Sequence, residues 1–260
     1  MYKGKTVSVI VPAYNEEETI AAVVADYVSA PEVDEVLVVD NNCKDRTAER
    51  ATAAGARVVK ESRPGYGSAL RGGQDAARGE ILVLTEADGS FKARDLAKLL
   101  SYLEDSAMVL GTRTTRQMVE QGANMGKLLR WGNVTMAKIL ELLWYIPHEP
   151  RLTDVGCTYR ALWADTWKLM RDGLSCTGPQ FSPEMICEAY RHGLRVIEIP
   201  IHYYPREGGE SKHSDSFWKV AKTALRMFRT ILRKRFSRRP KQVIAKPGSR
   251  AATAESRGSS

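Results

Sequence analysis

Two carboxylates stand one residue apart at the point where an apolar run stops. Residues 81–84 are apolar, and Glu86, Ala87 and Asp88 follow directly before Gly89. A buried strand ends in this way when its carboxyl end lines a crevice. Two acids held so close need a positive charge, and such oxygen ligands suit Mg²⁺ or Mn²⁺, often shared with a diphosphate. The triplet therefore predicts a metal and diphosphate site, with an ordinary acidic turn as the alternative, because short motifs of this kind also occur by chance.

The first half of the chain alternates apolar runs with amphipathic helical patterns. The apolar runs predict strands at residues 7–11, 36–39, 58–59, 81–84 and 108–110. Near-continuous apolar strands joined through helices indicate right-handed crossovers and a mostly parallel sheet flanked by helices. Further along, residues 125–145 predict a long amphipathic helix and residues 196–201 a strand. We therefore predict an α/β, Rossmann-like domain over residues 1–215.

Polar residues follow the first two predicted strands as well as the fourth. The first cluster is Pro12, Ala13, Tyr14, Asn15 and Glu16, of which the last three are polar, and the second is Asp40, Asn41 and Asn42. The carboxyl ends of parallel strands meet at one edge of a sheet, and ligands bind there, so we expect one shared site rather than unrelated turns. The glycine fingerprint of dinucleotide-binding enzymes and the phosphate loop of P-loop nucleotidases are both missing, which disfavours those two classes.

Composition bounds the setting in which the protein works. The chain has 260 residues, 43% of them hydrophobic, and a net charge of +8. Its four cysteines show no paired spacing, which favours reduced thiols in a cytoplasmic protein over disulfides or structural zinc. The first apolar run is too short for a secretory leader, and no segment reaches about 18 uninterrupted apolar residues. We therefore expect a cytoplasmic protein without a membrane span.

The positive charge is concentrated in the last 45 residues, which hold 13 Lys and Arg and one acid. Residues 216–239 place apolar residues at helical spacing with cations between them, a basic amphipathic helix that suits an anionic membrane surface. The alternative is a helix docked on the rest of the protein with its cations in water. Residues 240–260 are predicted to be disordered. The acidic body and the scarcity of aromatic residues among the cations argue against a nucleic-acid partner.

Six segments in order resemble the family 2 inverting glycosyltransferases of GT-A fold. They are VSVIVPAYNEEETI, EVLVVDNNCKDRTAERA, GSALRGGQDAARGEILVLTEADGSF, LGTR, TDVGCTYRA and IPIHYYPREGGESKHS. The resemblance covers roughly residues 5–215 and is greatest to the polyprenyl-phosphate group, typified by dolichol-phosphate mannosyltransferase. It implies transfer of a mannose-type or glucose-type hexose from a GDP or UDP sugar to polyprenyl or dolichyl phosphate. The reaction would invert the anomeric carbon, and the enzyme would lie peripherally on the cytoplasmic face of a membrane.

The resemblance also implies roles for particular residues on the donor side. Those that match the nucleotide-sugar site are Pro12, Ala13, Tyr14, Glu16, Asp40, Glu86, Ala87, Asp88, Arg206 and Lys212. Mg²⁺ or Mn²⁺ is expected at Asp88 and Glu86, although the family more usually has Asp at the first of these positions. Arg206 and Lys212 belong to a glycine-containing loop that would close over the diphosphate and screen the charge of the leaving group.

On the acceptor side, the residues expected to bind phosphate are Arg113, Arg130, Arg160 and Ser211. Asp154 matches the acid often nominated as a base, and we class it with Asp88 as catalytic. A phosphate acceptor hardly needs a base, because its second pKa is about 6 and it is mostly ionised near neutral pH. Asp154 would then order Arg160 or the sugar hydroxyls, or simply form an interior pair with Arg160.

Two other functions remain open from the residues. One is glycosyl transfer to a soluble or glycan hydroxyl, for which Asp154 would have to act as the base. The other is a catalytically silent, nucleotide-binding membrane adaptor.

Overall fold

A computed structural model of the protein describes residues 1–121, 123, 127–148, 150–208 and 217–237. Ser211 and Lys212, from the loop predicted to close over the diphosphate, and the predicted disordered segment 240–260 lie outside the described residues.

Within the described residues, seven strands form one sheet in the order β3-β2-β1-β4-β6-β5-β7. They are β1 Val7–Ala13, β2 Glu35–Asp40, β3 Arg57–Lys60, β4 Ile81–Leu84, β5 Met108–Thr112, β6 Arg160–Trp163 and β7 Val196–Pro200. Strand β6 runs antiparallel to both β4 and β5, and the other neighbouring pairs are parallel. The predicted mostly parallel α/β sheet is confirmed.

Helices pack against both faces of this sheet. They are α1 Ile20–Val28, α2 Thr47–Ala53, α3 Tyr66–Ala76, α4 Leu96–Leu103, α5 Lys127–His148, α6 Ala164–Met170, α7 Phe181–Arg191 and α8 Phe217–Phe236. Alternate residues of each central strand serve the two faces. Ile10 of β1 packs in a core layer with residues of α3, α5, α6, α7 and α8, whereas Val9 and Val11 pack in the opposite layer with residues of α1, α2 and α4.

Three elements were not predicted from the sequence, namely β6, α6 and α7. Strand β6 has four residues and begins with the charged Arg160, so it gives no apolar run. In α7 every residue from 181 to 190 is buried, including Glu184 and Glu188, whose charges mask a buried helix in the sequence.

The carboxyl ends of β1, β2 and β4 meet at one edge, as predicted. Ala13, the last residue of β1, is in register with Asp40, the last residue of β2. Beyond the end of β4, Thr85 still donates its backbone N–H to the carbonyl of Ile10 in β1 (3.1 Å). The polar residues that follow these strands therefore start from neighbouring positions.

In the part of the chain that the structure describes, no helix combines the length and the apolar character needed to cross a bilayer.

Asp95 links the start of α4 to the segment that follows β7. Its carboxylate accepts hydrogen bonds from the backbone N–H of His202 (2.7 Å) and from the Lys98 ammonium (2.5 Å), and the His202 ring Nδ1 lies 3.0 Å away. Burial acts to raise the pKa of Asp95, but the hydrogen bonds from Lys98 and His202 outweigh it and hold that pKa below its ordinary value.

Asp95→Ala is expected to lower the free energy of unfolding at pH 7 by about 2 kcal/mol, because hydrogen bonds to a charged group are lost. A carboxylate with a depressed folded-state pKa stabilises the protein above its unfolded pKa, and this stabilisation disappears as pH falls through the folded pKa. The difference between the variant and the natural protein should therefore shrink below about pH 4. Urea unfolding at pH 7 and at pH 3 measures this difference. An equal loss of unfolding free energy at both pH values would show that the effect comes from packing and not from the charge of Asp95.

Candidate active site

Asp88 lies at the wall of a cavity and is paired with a cation. Its carboxylate accepts hydrogen bonds from the backbone N–H (3.0 Å) and the hydroxyl (2.5 Å) of Ser90. Its other oxygen lies 3.0 Å from Nε of Arg206. Asp88 is 5% exposed, and Gly89 after it has a φ of 76°, which turns the chain away from the strand direction. Arg206 thus supplies positive charge to the acidic triplet.

Glu86 faces the same cavity with a different partner. Its carboxylate accepts a hydrogen bond from the hydroxyl of Thr158 (2.5 Å). Burial, together with the neighbouring charge of Asp88, raises the pKa of Glu86 to about 7. A cation bound beside the two acids would favour the ionised form of Glu86 and offset their repulsion.

These residues fit a divalent cation that is shared with a substrate. The described residues contain no group of three or more His, Cys, Asp or Glu placed to hold a metal. Glu86 and Asp88 both line the cavity, so the protein offers two carboxylates there. Mg²⁺ bound through one or two carboxylates takes its remaining ligands from substrate phosphates and water. The site suits a cation of this kind rather than a closed metal centre.

One cavity of about 740 Å³ joins most of the predicted donor residues, and its size suits a small-molecule ligand. Its wall includes Pro12, Ala13, Tyr14, Glu16, Glu86, Ala87, Asp88 and Arg206. Asp40 is an exception. It does not line the cavity, and its carboxylate accepts a hydrogen bond from the backbone N–H of Cys43 (2.7 Å), which shapes the turn after β2.

Asn41 and Asn42, which we expected at the shared site but gave no role, line the cavity as well, and so does Lys44, which was not predicted. The Asn41 amide donates to the carbonyls of Glu61 (2.9 Å) and Arg63 (2.8 Å), and its oxygen accepts from the N–H of Gly65 (2.8 Å). Asn41 therefore ties the ends of β2 and β3 to the start of α3. The sequence showed it in a polar cluster, but its partners lie about twenty residues away and gave no local signal.

Arg113 and Asp154 form a buried bidentate pair beside the cavity. The Arg113 Nε lies 2.8 Å from Oδ2 of Asp154 and Nη2 lies 3.0 Å from Oδ1, with side-chain exposures of 12% and 0%. Oδ1 also accepts the N–H of Gly156 (3.1 Å), and the guanidinium lies 5.3 Å from the ring centroid of Tyr203. The predicted pairing of Asp154 with Arg160 is therefore wrong. Both oxygens of Asp154 are bound by Arg113 and Gly156, so action as a general base would require this pair to open, and the catalytic role of Asp154 stays a prediction.

Arg160 lies in the core, which corrects its assignment to the acceptor phosphate. It is 1% exposed, and its guanidinium donates to the carbonyls of Ser182 (3.1 Å) and Cys157. It braces the start of β6 instead of presenting charge to a ligand. Arg130 lies in α5, half-buried and outside the cavity wall, and its role stays a prediction. The roles of Ser211 and Lys212 also stay predictions, because both lie outside the described residues.

Residues 8–160 match the sequence profile described as Glycosyl transferase family 2. The chain belongs to this family. The match covers more than half of the chain and runs from β1 to the start of β6, so it includes both Glu86 and Asp88.

Relatives of this glycosyltransferase align over most of their own length. An uncharacterised glycosyltransferase of Mycobacterium tuberculosis is 35% identical over 84% of this chain and 98% of the relative. The undecaprenyl-phosphate mannosyltransferase of Micrococcus luteus is 30% identical over 79% of this chain and 86% of the relative. The dolichyl-phosphate hexose transferase of Haloferax volcanii is 29% identical over 80% and 86%.

Solved structures share the fold of this glycosyltransferase. Glucosyl-3-phosphoglycerate synthase of Mycobacterium tuberculosis, in complex with Mn²⁺, UDP and glucosyl-3-phosphoglycerate, superposes with a TM-score of 0.69 at 22% identity. That superposition covers 89% of this chain and 80% of the synthase. A further mycobacterial protein gives a TM-score of 0.70 at 23% identity, over 89% of this chain and 75% of its own. The GT-A type of fold is thereby confirmed.

Asp154→Ala is expected to lower the free energy of unfolding by about 3–5 kcal/mol, because it leaves the buried Arg113 without its partner. Asp165→Ala is the matched control, since Asp165 is 80% exposed and pairs with an exposed Lys168. A surface pair of this kind contributes about 1 kcal/mol or less. Chemical denaturation of the two variants measures the difference, and equal stability would show that the Arg113 charge is compensated elsewhere.

Proposed function

We propose that the protein transfers a hexose from a nucleotide diphosphate sugar to a polyprenyl or dolichyl phosphate, with inversion at the anomeric carbon. The observation that carries this proposal is the buried pair of Asp154 with Arg113. A hydroxyl acceptor needs a base to remove its proton, and both oxygens of Asp154, the candidate base, are held by Arg113 and Gly156. An acceptor phosphate is already mostly ionised near neutral pH, because its second pKa is about 6.

The relatives support an acceptor of this class. Two of them, aligned over 86% of their length, are named undecaprenyl-phosphate mannosyltransferase and dolichyl-phosphate hexose transferase. Arg113 remains a candidate for the acceptor phosphate, since Nη1 has no partner among the described residues while Nε and Nη2 hold Asp154. A guanidinium fixed in this way by one carboxylate is oriented in advance for a second anion.

The cavity supports a nucleotide diphosphate donor. The loop after β1, with Tyr14 and Glu16, and the asparagines after β2 would hold the nucleoside, with Asp88 and Arg206 beside the diphosphate. Mg²⁺ or Mn²⁺ would be held by Asp88 and Glu86, and it would supply neutralising charge to the departing diphosphate. The fold neighbour solved with Mn²⁺ and UDP agrees with a donor of this class, GDP-hexose or UDP-hexose.

The reaction then balances without a protein base. An acceptor phosphate oxygen attacks the anomeric carbon in line, the new carbon–oxygen bond forms, and the bond from that carbon to the nucleotide diphosphate breaks. The diphosphate leaves with the electron pair, and no proton has to move. The Arg206 guanidinium beside Asp88 stabilises the charge that develops on the leaving group, a role that we also propose for Lys212.

The outer surface of α8 supports a peripheral position on an anionic, cytoplasmic membrane face. Lys222, Arg226 and Arg229 are exposed there, as are Leu225 (54%) and Phe236 (77%). Cations beside apolar side chains suit a headgroup layer. The predicted apolar stripe is, however, divided between two surfaces, because part of α8 packs against α5 and α7.

The lipid acceptor is tested by incubating labelled GDP-mannose or UDP-glucose with polyprenyl phosphate and Mg²⁺ or Mn²⁺. We expect label in the lipid extract, lost when the metal is chelated. Asp88→Ala should reduce the rate by about a hundredfold or more, whereas Asp105→Ala, on an exposed turn, should leave it unchanged. Label confined to water-soluble glycosides would replace the lipid acceptor with a hydroxyl acceptor, and no transfer with any donor would favour the silent adaptor.

Membrane attachment is tested by replacing Lys222, Arg226 and Arg229 together with Gln. Each cation near an anionic surface contributes about 1 kcal/mol, so the affinity for phosphatidylserine vesicles should fall about a hundredfold. Thermal stability should not change, because the three side chains are exposed. Co-sedimentation with anionic and neutral vesicles measures the affinity, and undiminished binding to anionic vesicles would rule out this surface.

A further inference from the structure

Helix α8 is joined to the catalytic domain by a buried lysine. Lys234 is 5% exposed, and its ammonium lies 2.8 Å from Oε2 of Glu188 and 3.3 Å from Oε1 of Glu184. The two acids are 1% and 0% exposed on α7. The ammonium also donates to the carbonyl of Gly173. A charge buried with partners in this way holds α8 at a defined height and rotation on α7, because sliding would take the Lys234 ammonium away from both acids and leave it buried without a partner.

This docking places Met227 in the wall of the donor cavity. Met227, Thr230, Ile231 and Lys234 share one side of α8, and all four are buried. Among the described residues of α8, Met227 is the one that lines the cavity. Leu225, two positions earlier, points away and is 54% exposed. The helix that the sequence predicts as a membrane element therefore also contributes to the site.

Hydroxyl groups line the same cavity. The Tyr66 hydroxyl lies 2.5 Å from that of Thr158 and 3.5 Å from that of Ser182, and Thr158 donates to Glu86. Tyr66, Thr158 and Ser182 all line the cavity together with Met227. A pyranose presents hydroxyls at its edge and C–H groups on its faces, so a wall of hydroxyls with one flexible thioether is complementary to it.

We propose that Met227 contacts the transferred sugar of the donor, and that Lys234 is the positioning residue that places it there through Glu184 and Glu188. The proposal rests on the proposed function only in taking a nucleotide sugar as the ligand. It predicts that α8 determines affinity for the sugar of the donor and not for its nucleotide.

The test compares two pairs of ligands, UDP with UDP-glucose and GDP with GDP-mannose, by calorimetry with Mn²⁺ on the full chain. Met227→Trp should occupy the space beside the cavity wall and weaken binding of the preferred nucleotide sugar by about tenfold or more. The affinity for the nucleotide alone should stay within about twofold of that of the natural protein. Met227→Ala should weaken the nucleotide sugar by about threefold. Leu142→Trp and Leu142→Ala are matched controls, because Leu142 in α5 is 79% exposed and does not line the cavity, and neither should change either affinity.

Lys234→Met tests the positioning role, with Lys168→Met in α6 as its exposed control. Lys234→Met should reproduce the selective loss of nucleotide-sugar affinity, whereas Lys168→Met should not. If Lys234→Met does not fold, the Met227 variants still decide the main claim. Equal affinities of Met227→Trp and the natural protein for the nucleotide sugar would overturn the proposal, as would an equal loss for sugar nucleotide and nucleotide.

The proposed function and the proposed sugar contact of Met227 would be disproved by different results. Absence of any nucleotide-sugar binding by the natural protein would remove the proposed function itself. Normal nucleotide-sugar binding with no lipid product would remove only the acceptor, and the Met227 comparison would still hold. Unchanged selectivity in the Met227 variants would remove the sugar contact and leave the transferase intact.

Discussion

The site depends on the crowding of two carboxylates at the end of one buried strand. Water screens Glu86 and Asp88 only on the cavity side, so their repulsion has to be offset by charge from elsewhere in the molecule. Arg206 arrives from a segment more than a hundred residues later in the chain, and it is aligned by the backbone, because the N–H of Glu207 donates to the carbonyl of Asp88 (3.0 Å). The position of β7 and its exit is therefore part of the chemistry of the β4 edge.

Buried ion pairs also hold distant segments together at two other places in the molecule. Arg113 is fixed by Asp154 beside the cavity, and Lys234 is fixed by Glu184 and Glu188 beneath α8. Pairs of this kind gain little net stability over apolar packing, but breaking one is costly. Their effect here is to specify which segments meet and in what orientation. Each joins segments that are about 40 to 50 residues apart in the sequence. The first lies next to Gly156 of the cavity wall, and the second lies about two helical turns from Met227.

The sequence predicted what is encoded locally and missed what depends on distant partners. The apolar strands, the family and the acidic triplet are local signals, and the residues around Tyr14 and Asp88 do share one cavity. Strand β6 was not predicted, because its four residues form a strand through their pairing with β4 and β5 and carry no strand pattern of their own. The partner of Asp154 was misassigned to Arg160 for the same reason: both arginines are plausible in sequence, and only the sheet decides that Arg113 faces the acid while Arg160 points into the core.

Helix α8 shows how one sequence pattern can satisfy two demands. Its basic amphipathic pattern favours either a membrane surface or a docked helix, and the structure divides the side chains between a buried side and an exposed side. Lys234 and Met227 belong to the protein interior, whereas Arg226 and Arg229 remain exposed on the other side. A rigid helix transmits a displacement of one side to the other, because its side chains share one backbone. A membrane surface that fixed the outer side of α8 would thereby also fix the position of Met227 at the cavity, and binding at that surface would then be physically linked to the proposed binding of the donor.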